Sequence, residues 1–358
     1  MDNTDKTKKI KIAVIGCGNI ANNAHLPALS AMPDVEILYA VDLIEERARA
    51  AKERYGLGRW QTDYRAALDD GDVNAVFVLT PNYSHYTITM DALKAGKHVF
   101  CEKPITNNYA LSREMAAEAE KRNLILNIGV CNRYHKSVEL IKDFVEQGRL
   151  GELYHIYCSF RSFRSIPGLG GAFTSKEKSG GGVLIDWGIH FLDLILYITG
   201  VKVRTVSANT YNKLGRDISA YVYKDMWAGP PVPGGVCDVD DMVSGFVRTS
   251  GASISFNGAW AQNIDQNEMF VDFMGDKGGI RLMYGKGFTF YTAQDGVLQS
   301  VTPDYHIPNM YQREDLRFIE ALRQGLKTRS HISAVLESAR LLDAIYESAE
   351  KEAEIRLN

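Results

Sequence analysis

The sequence has few cysteines, almost no net charge and no long apolar run, and each shortage argues against a class of protein. Five cysteines are spread over 358 residues and none forms a C-x-x-C pair, which speaks against a zinc module or a disulfide framework. The 41 lysines and arginines face 44 acidic residues, so no basic excess is present to neutralise nucleic-acid phosphates. No run approaches the roughly 18 apolar residues of a membrane helix. We therefore expect neither a nucleic-acid nor a membrane partner.

The cysteines and the start of the chain also bear on localisation. Widely spaced, unpaired thiols are typical of a reducing compartment. The apolar stretch from Ile12 to Gly18 follows a basic start and imitates a short signal peptide, but Asn19, Asn22 and Asn23 interrupt it. We expect a cytoplasmic protein.

The composition is that of an ordinary globular protein, and the order of predicted strands and helices differs between the two parts of the chain. Hydrophobic residues make up 45% and charged residues 24%, and the length predicts two domains. Up to about residue 131, short apolar strands alternate with helical patterns, which predicts βαβ units on a parallel sheet. Beyond about residue 150, strands follow one another without helices, which predicts a mostly antiparallel sheet.

A glycine-rich turn follows the first predicted strand, Ile10–Ile15. The turn, Gly16-Cys17-Gly18-Asn19-Ile20-Ala21, matches the G-x-G-x-x-G/A pattern of dinucleotide-binding proteins. Gly16 permits the tight turn, Gly18 lets a pyrophosphate approach the backbone, and Ala21 keeps the following helix close to the strand. Phosphates would meet free N–H groups at the helix start. The strand before and the helix after the turn favour a dinucleotide site over a purely structural turn.

The second predicted strand ends at Asp42, which is placed to accept hydrogen bonds from the cofactor's ribose hydroxyls. A carboxylate there repels a 2′-phosphate, so we expect NAD, with NADP less favoured; Arg47 and Arg49 are the residues that could reverse this preference. Asp42 also suits a cap for the next helix, and both roles can hold together. It lies 26 residues beyond Gly16, past the usual spacing of about 20, and Pro27 indicates a bulge before the regular helix that accounts for the difference.

Two further motifs carry titratable side chains. Glu102-Lys103-Pro104 ends a predicted strand, at the edge where open α/β sheets bind ligands. Asp186 and His190 follow the glycine run Gly180–Gly182 and lie four residues apart in a predicted helix, so they share one helical face. A lone histidine of this kind is more often a packed core residue, and an Asp–His pair also suits a metal. No third ligand with motif spacing occurs, so we expect no metal.

Together these motifs resemble those of the glucose–fructose oxidoreductase / inositol dehydrogenase / rhizopine-catabolism (Gfo/Idh/MocA) family. The resemblance includes Thr80-Pro81-Asn82-Tyr83-Ser84-His85 and runs from residue 10 to beyond residue 190. It implies an α/β protein with an N-terminal Rossmann domain (1–131). It also implies a substrate-binding C-terminal α+β domain (132–358) whose large, mostly antiparallel open sheet mediates oligomerisation. The same resemblance implies NAD(P) as the hydride carrier and a sugar, polyol or glycoside as the substrate. It also implies a homodimer or homotetramer formed through that sheet.

The resemblance assigns site residues by position. Lys103, Asp186 and His190 match the catalytic positions, and the Lys103–Pro104 bond is cis in some members. The matched cofactor positions are Gly16, Gly18, Asn19, Ile20, Ala21, Asp42, Thr80, Asn82, His85, Glu102 and Lys103.

The chemistry of these residue types agrees with that assignment. Oxidising a secondary alcohol requires a base that takes the hydroxyl proton as the hydride leaves. His190 has an ordinary pKa near neutrality, whereas Lys103 is too basic unless burial and a cationic nicotinamide lower its pKa. Asp186 can orient either residue. Which of Lys103 and His190 takes the proton stays open.

Three residues are weaker candidates for substrate contacts. Arg133 and Tyr134 follow the last predicted Rossmann strand, and a plain hinge explains them equally well. Trp187 suits stacking on a sugar ring, although core packing is the commoner role of such a tryptophan.

A loop rich in proline and glycine, Lys224–Asp240, contributes two more candidates. Long loops of this kind are typical of lids, binding loops or disordered segments. Trp227 is the candidate lid residue of this loop, although core packing is the commoner role for it as for Trp187. Asp241 follows Asp240 just before a predicted strand, where neighbouring side chains face opposite ways, so at most one of the two carboxylates should point inward.

The leading hypothesis is therefore an NAD-dependent dehydrogenase of a ring hydroxyl on a sugar, glycoside or cyclitol. One alternative is net glycoside hydrolysis by an oxidation–elimination–hydration–reduction cycle that retains NAD. A non-catalytic NAD-dependent sensor is the other, and the intact set of Lys103, Asp186 and His190 argues against it because a sensor needs no proton transfer.

Overall fold

The computed structural model describes residues 9–223, 226 and 228–357, and the chain forms two compact units. Unit 1 contains the described residues up to Tyr134 together with Pro308–Leu336. Unit 2 contains His135–Ile307 and the described chain from Glu337 onward.

Unit 1 is built on a six-stranded sheet of order β3-β2-β1-β4-β5-β6, with every neighbouring pair parallel. This is the strand order of a Rossmann fold, in which the order reverses between β1 and β4. At its centre, β4 and residues Ile12 to Ile15 of β1 are buried, because helices cover both faces of such sheets. The strands are β1 (Ile10–Ile15), β2 (Val35–Val41), β3 (Arg59–Gln61), β4 (Ala75–Val78), β5 (His98–Glu102) and β6 (Leu126–Gly129).

The helices of unit 1 come from both ends of the chain. Two of their ends show the expected signals: α2 ends at Gly56 in the left-handed region, and the Asn108 side chain caps α5. They are α1 (Leu26–Ser30), α2 (Glu45–Tyr55), α3 (Arg65–Asp69), α4 (His85–Lys94), α5 (Tyr109–Lys121), α9 (Met310–Gln324) and the first residues of α10 (Ile332–Lys351).

The segment Pro308–Leu336 is where the structure departs from the expected domain division at residue 131. The predicted second domain included this segment, but α9 belongs to unit 1. Its Phe318 packs edge-on against Phe77 of β4 and Phe100 of β5, with ring centroids 5.4 and 5.7 Å apart. Burial of these three aromatic rings in one core explains why α9 returns to the parallel sheet.

Unit 2 carries a nine-stranded sheet of order β14-β13-β12-β11-β7-β10-β9-β8-β15. Only the β7–β10 pair is parallel, so the sheet is mixed and mostly antiparallel, and the predicted fold class is confirmed. Its strands are β7 (Leu153–Arg161), β8 (Val203–Tyr211), β9 (Met242–Thr249), β10 (Ser253–Ala259), β11 (Glu268–Gly275), β12 (Gly278–Met283), β13 (Phe288–Gln294), β14 (Val297–Val301) and β15 (Ile355–Arg356).

One face of this sheet forms the core of unit 2 with two helices and the end of α10, and these two helices are α6 (Lys136–Glu146) and α8 (Ile189–Thr199). The short polar helix α7 (Lys176–Ser179) precedes the glycine run. On β7, Ile156, Cys158 and Phe160 point into the core, while the alternating residues of the other face are mostly half-buried.

One helical stretch of the described chain, Lys176–Thr199, is long and apolar enough to span a membrane by length and composition, although none was expected. It is the core helix of unit 2, since 78% of its apolar window is buried inside the protein.

Candidate active site

The carboxyl edge of the unit 1 sheet gathers the residues predicted from the first domain. Gly16 follows β1, Asp42 follows β2, Thr80 lies just beyond β4, and Glu102 is the last residue of β5. Parallel strands end at the same edge, and β1 and β4 flank the point where the strand order reverses. Open α/β sheets bind their ligands at this place.

The glycine turn has the shape that a dinucleotide requires. Gly16 has a φ of +96°, and a Cβ there would lie 2.5 Å from the carbonyl oxygen of Leu79, so both conformation and space exclude a side chain. A Cβ on Gly18 would meet no heavy atom within 4 Å, which leaves the space over Gly18 open to a ligand. One π-helical turn, Ala21–His25, precedes α1 with Pro27 in its first turn. This turn is the predicted bulge that lengthens the path to the end of β2.

The Asp42 carboxylate ties the end of β2 to the glycine turn. Its Oδ2 accepts a hydrogen bond from the Cys17 N–H at 2.9 Å, and its Oδ1 accepts one from the Ile44 N–H at 2.9 Å. A carboxylate accepts about four hydrogen bonds, so Asp42 keeps capacity for ribose hydroxyls. Of the two arginines that could reverse the cofactor preference, Arg49 already pairs with Glu45 at 3.6 Å.

His85 is buried beneath the loops that follow β4 and β5. One ring nitrogen, Nε2, lies 2.8 Å from the Thr80 carbonyl oxygen, and Nδ1 lies 2.8 Å from the Pro104 carbonyl oxygen. Burial lowers the pKa of His85, but the nearby Cys101 sulfur and the two carbonyls raise it more, to about 9. Because carbonyl oxygens only accept hydrogen bonds, a ring that donates from both nitrogens holds both loops, and the place of His85 is beneath Thr80 and Pro104. Asn82 is half-buried in the short turn Asn82–Ser84, which lies between Thr80 and His85.

Lys103 is half-buried, directly follows β5 and is joined to Pro104 by a cis peptide bond. Its backbone N–H donates to Glu102 Oε2 at 3.0 Å, and the other Glu102 oxygen lies 3.0 Å from His25 Nε2. The Glu102 carboxylate is 6% exposed and occupied by these two contacts, so it supports the loop from below. Beside it, burial and then Glu314 and Glu102 raise the pKa of the Cys131 thiol well above its ordinary value, which keeps that thiol protonated.

In unit 2, Asp186 and His190 lie at the start of the core helix. Asp186 sits in a π-helical turn, Leu184–Gly188, and His190 is the second residue of α8. The predicted continuous α-helix is therefore wound more widely around Asp186, and single π turns of this kind occur frequently at functional sites. Trp260 is fully buried and donates its indole N–H to Asp186 Oδ2 at 3.3 Å, which orients the carboxylate.

Of the two candidate tryptophans, Trp187 is half-buried and packs against the core of unit 2, which is the commoner role considered above. Trp227 lies outside the described residues.

The glycine run before this turn makes room for a buried carboxylate. Asp240 accepts hydrogen bonds from the Gly182 N–H (2.7 Å), the Leu184 N–H (3.0 Å) and the Tyr346 hydroxyl (2.8 Å). A Cβ on Gly182 would lie 1.8 Å from the Asp240 carbonyl oxygen, and one on Gly181 would lie 2.1 Å from the Tyr346 hydroxyl. Burial raises the pKa of Asp240 to about 6 despite these three donors. Asp240 and Tyr346 thus hold the backbone from which Asp186 projects.

Arg133 and Tyr134 do not form a substrate surface, because both side chains are buried in unit 1. The Arg133 guanidinium donates to the carbonyls of Arg329 (2.7 Å) and Ala334 (2.9 Å), and the Tyr134 hydroxyl lies 2.9 Å from Ser330 Oγ. These bonds fasten the returning C-terminal segment, which corresponds to the structural alternative considered for them.

Asp241 is likewise an anchor, because its side chain is occupied by the backbone. Its Oδ2 accepts bonds from three successive N–H groups, those of Lys213, Leu214 and Gly215, at 2.6 to 2.9 Å. Asp240 and Asp241 are both buried and hold different stretches of backbone, Asp240 at Gly182 and Leu184 and Asp241 at Lys213 to Gly215. The pair lies just before β9, which begins at residue 242.

Several residues that support the candidate residues within each unit were not found from the sequence. Each is buried or half-buried and acts through a partner distant in the chain, and only the glycine run carried any signal of such a contact. They are His25, Asp315, Trp260 and Tyr346.

Comparisons with known proteins bear on both units. Residues 10–130 match the family model of the Gfo/Idh/MocA oxidoreductases with an NAD-binding Rossmann fold, and residues 138–281 match the Gfo/Idh/MocA C-terminal domain. The D-glucoside 3-dehydrogenase of Escherichia coli K12 is 31% identical over 363 residues, covering 97% of each chain.

Two solved structures show the same fold. A levoglucosan dehydrogenase in complex with NADH and levoglucosan has a TM-score of 0.85 at 23% identity, covering 98% of this chain and 99% of the other. A 3-ketoreductase from Actinomadura kijaniata in complex with NADP and TDP-benzene has a TM-score of 0.78 at 23% identity, covering 95% and 98%.

Proposed function

The chain belongs to the Gfo/Idh/MocA oxidoreductase family, and we propose on that premise that it moves a hydride between NAD and a ring secondary hydroxyl of a sugar, glycoside or cyclitol. Its relatives are named as sugar and cyclitol dehydrogenases and reductases, and this chain is an NAD(P)-dependent enzyme of that class. One observation carries the proposal: the glycine turn, Asp42 and the half-buried Lys103 meet at one edge of the Rossmann sheet.

The residues of unit 1 fit a nicotinamide dinucleotide. Gly16 and Gly18 would admit the pyrophosphate, Asn19, Ile20 and Ala21 begin the helical turn beneath it, and Asp42 would accept the ribose hydroxyls. When bound, the cofactor supplies the hydride acceptor. The preference for NAD over NADP rests on the Asp42 carboxylate, which would repel a 2′-phosphate.

Lys103, Asp186 and His190 would handle the substrate hydroxyl and its proton. Lys103 binds the hydroxyl oxygen and His190 exchanges the proton, or the two act in the reverse order. Asp186, oriented by Trp260, holds one of them in place. General acid–base catalysis of this kind contributes about 10²–10⁴-fold to the rate.

We propose a second copy of this chain as the partner of the unit 2 sheet. Its face opposite the core bears half-buried aromatic residues, among them Tyr157 and Phe270, whose rings lie 5.7 Å apart, and Phe246. Such apolar side chains on a large sheet face favour a homodimer or homotetramer. A cytoplasmic location, consistent with the five free thiols, is part of the same proposal.

The test uses the purified full chain with NAD or NADP and a panel of aldoses, glycosides, polyols and cyclitols, followed by absorbance of the reduced cofactor. We expect substrate-dependent reduction of NAD by at least one ring compound. The Lys103→Met variant should bind NADH normally and lose about 10²–10⁴-fold in kcat, whereas the exposed Lys121→Met should behave as wild type. Turnover that survives in Lys103→Met would contradict the catalytic assignment.

A further inference from the structure

We propose that Asp315 and His25 are positioning residues for Lys103, acting through the Glu102 carboxylate beneath the loop that carries it. The proposal rests on the proposed function in one respect, because it takes Lys103 to be the group that needs positioning. It concerns unit 1 alone and begins with a chain of hydrogen bonds that joins α9 to the end of β5.

The chain of contacts is continuous and buried. Asp315 Oδ1 lies 2.8 Å from His25 Nδ1, His25 Nε2 lies 3.0 Å from Glu102 Oε1, and Glu102 Oε2 accepts the Lys103 N–H at 3.0 Å. Asp315 and His25 are fully buried, and Glu102 is 6% exposed. Both Glu102 oxygens are thus fixed in direction, one by the ring and one by the backbone of Lys103.

The imidazole ring of His25 is held by packing as well as by hydrogen bonds. It meets Phe100 edge-on at 5.1 Å, Phe77 at 5.9 Å and Tyr311 edge-on at 6.0 Å between ring centroids. A ring confined on these sides cannot turn away from either carboxylate, so a displacement of Asp315 is transmitted to Glu102.

The charge state agrees with the geometry. Burial lowers the pKa of His25, but Asp315 and then Glu102 raise it more, to about 10. The ring is therefore an imidazolium at neutral pH and donates from both nitrogens to the carboxylates on either side. Burial raises the pKa of Asp315, and the adjacent imidazolium lowers it by a smaller amount.

Gly129 of β6 shows that space is kept for the Glu102 carboxylate. A Cβ there would lie 2.7 Å from Glu102 Oε1. The carboxylate could move aside only by giving up its bond to His25 or to the Lys103 N–H. A single methyl group at residue 129 is therefore a second perturbation of the same contacts, from the opposite side and without a change of charge.

Stability alone does not account for this arrangement. Buried ion pairs are often no more stabilising than apolar side chains of similar volume, because desolvation offsets their attraction. What the chain of contacts does supply is a fixed direction for the Lys103 backbone, anchored on a helix more than two hundred residues later in the sequence.

The experiment compares Asp315→Asn and Gly129→Ala in the full chain with a control, Asp91→Asn. Asp91 is a carboxylate of unit 1 whose partner is the Tyr64 hydroxyl at 2.7 Å. Three quantities are measured for each: hydrogen exchange of the Lys103 amide, the Kd of NADH, and kcat. A double-mutant cycle then repeats Asp315→Asn in the Lys103→Met background.

We expect both variants to speed exchange of the Lys103 amide about tenfold and to lower kcat about tenfold or more, with the Kd of NADH within about twofold. In the Lys103→Met background, Asp315→Asn should change the residual rate less than about twofold. The control should leave all three quantities unchanged.

Unchanged exchange of the Lys103 amide in both variants would overturn the proposal, as would an equal loss of kcat with and without Lys103. If the wild type binds NADH and turns over no ring compound, the proposed function fails instead, and the exchange measurement still decides whether Asp315 positions Lys103. Gly129→Ala decides the matter if Asp315→Asn does not fold.

Discussion

Replacing Asp240 by asparagine should change how stability depends on pH, because the buried carboxylate is costly when ionised. Its two oxygens serve the Gly182 N–H, the Leu184 N–H and the Tyr346 hydroxyl, yet burial still raises its pKa from 3.8 to about 6. Between these two values the folded protein holds a proton that the unfolded chain has released.

The sign and size of the effect follow from this difference. The free energy of unfolding falls as pH rises wherever the folded state binds more protons than the unfolded state. The contribution of Asp240 therefore decreases between about pH 4 and about pH 6, and its stabilising effect is fully lost above about pH 6. Roughly two pKa units correspond to about 3 kcal/mol. The asparagine variant lacks this titration, but its amide N–H₂ faces the Leu184 N–H and loses one acceptor, which costs about 1–3 kcal/mol at any pH.

The assay is urea unfolding at several pH values, followed by both tryptophan fluorescence and circular dichroism. We expect Asp240→Asn to be less stable than wild type at about pH 4 and to gain about 3 kcal/mol relative to it by about pH 7.5. The matched control is Asp238→Asn in the same loop, an exposed residue that also accepts a backbone N–H, from Lys176 at 2.7 Å. A difference between Asp240→Asn and wild type that does not vary with pH would refute the reasoning.

Other expected outcomes follow from single contacts. Gly16→Ala should abolish NADH binding in a titration, because its Cβ would lie 2.5 Å from the Leu79 carbonyl oxygen at a φ of +96°; unchanged affinity would contradict the cofactor site. Asp42→Ala should raise the kcat/KM for NADP relative to NAD by about tenfold or more, and an unchanged ratio would remove Asp42 as the discriminating residue. Tyr157→Lys should lower the molar mass measured by light scattering, whereas Tyr154→Lys on the same strand should not; equal masses would exclude the open sheet face as the interface.

The Rossmann half was predictable because its signals are local. β1 lies at the residues predicted, and β2 ends just before Asp42 as predicted, since apolar runs bounded by turn residues define both strands. The glycine turn and Asp42 are likewise readable from neighbours in the chain. The short strand β3 and the exposed edge strand β14 have no such pattern and were missed, and the helix α6 was missed although its apolar residues recur at helical spacing.

The return of α9 to unit 1 could not be predicted, because nothing local marks it. The amphipathic pattern of α9 predicts a buried face but not which sheet covers it. Contact between Phe318, Phe77 and Phe100, and between Asp315 and His25, joins residues more than two hundred positions apart. Such pairings depend on packing of the whole unit.

The acidic residues show most clearly where reasoning from residue types is ambiguous. Asp241 was a candidate for sugar hydroxyls and Glu102 for the cofactor, yet both carboxylates are buried and accept backbone N–H groups. Asp240 does the same at the turn that carries Asp186. A carboxylate beside a glycine run or a strand end is equally able to bind a ligand or to hold a loop, and burial distinguishes the two because a ligand must reach the oxygen. In this chain, buried carboxylates thus support the turn that carries Asp186 and the loop that carries Lys103.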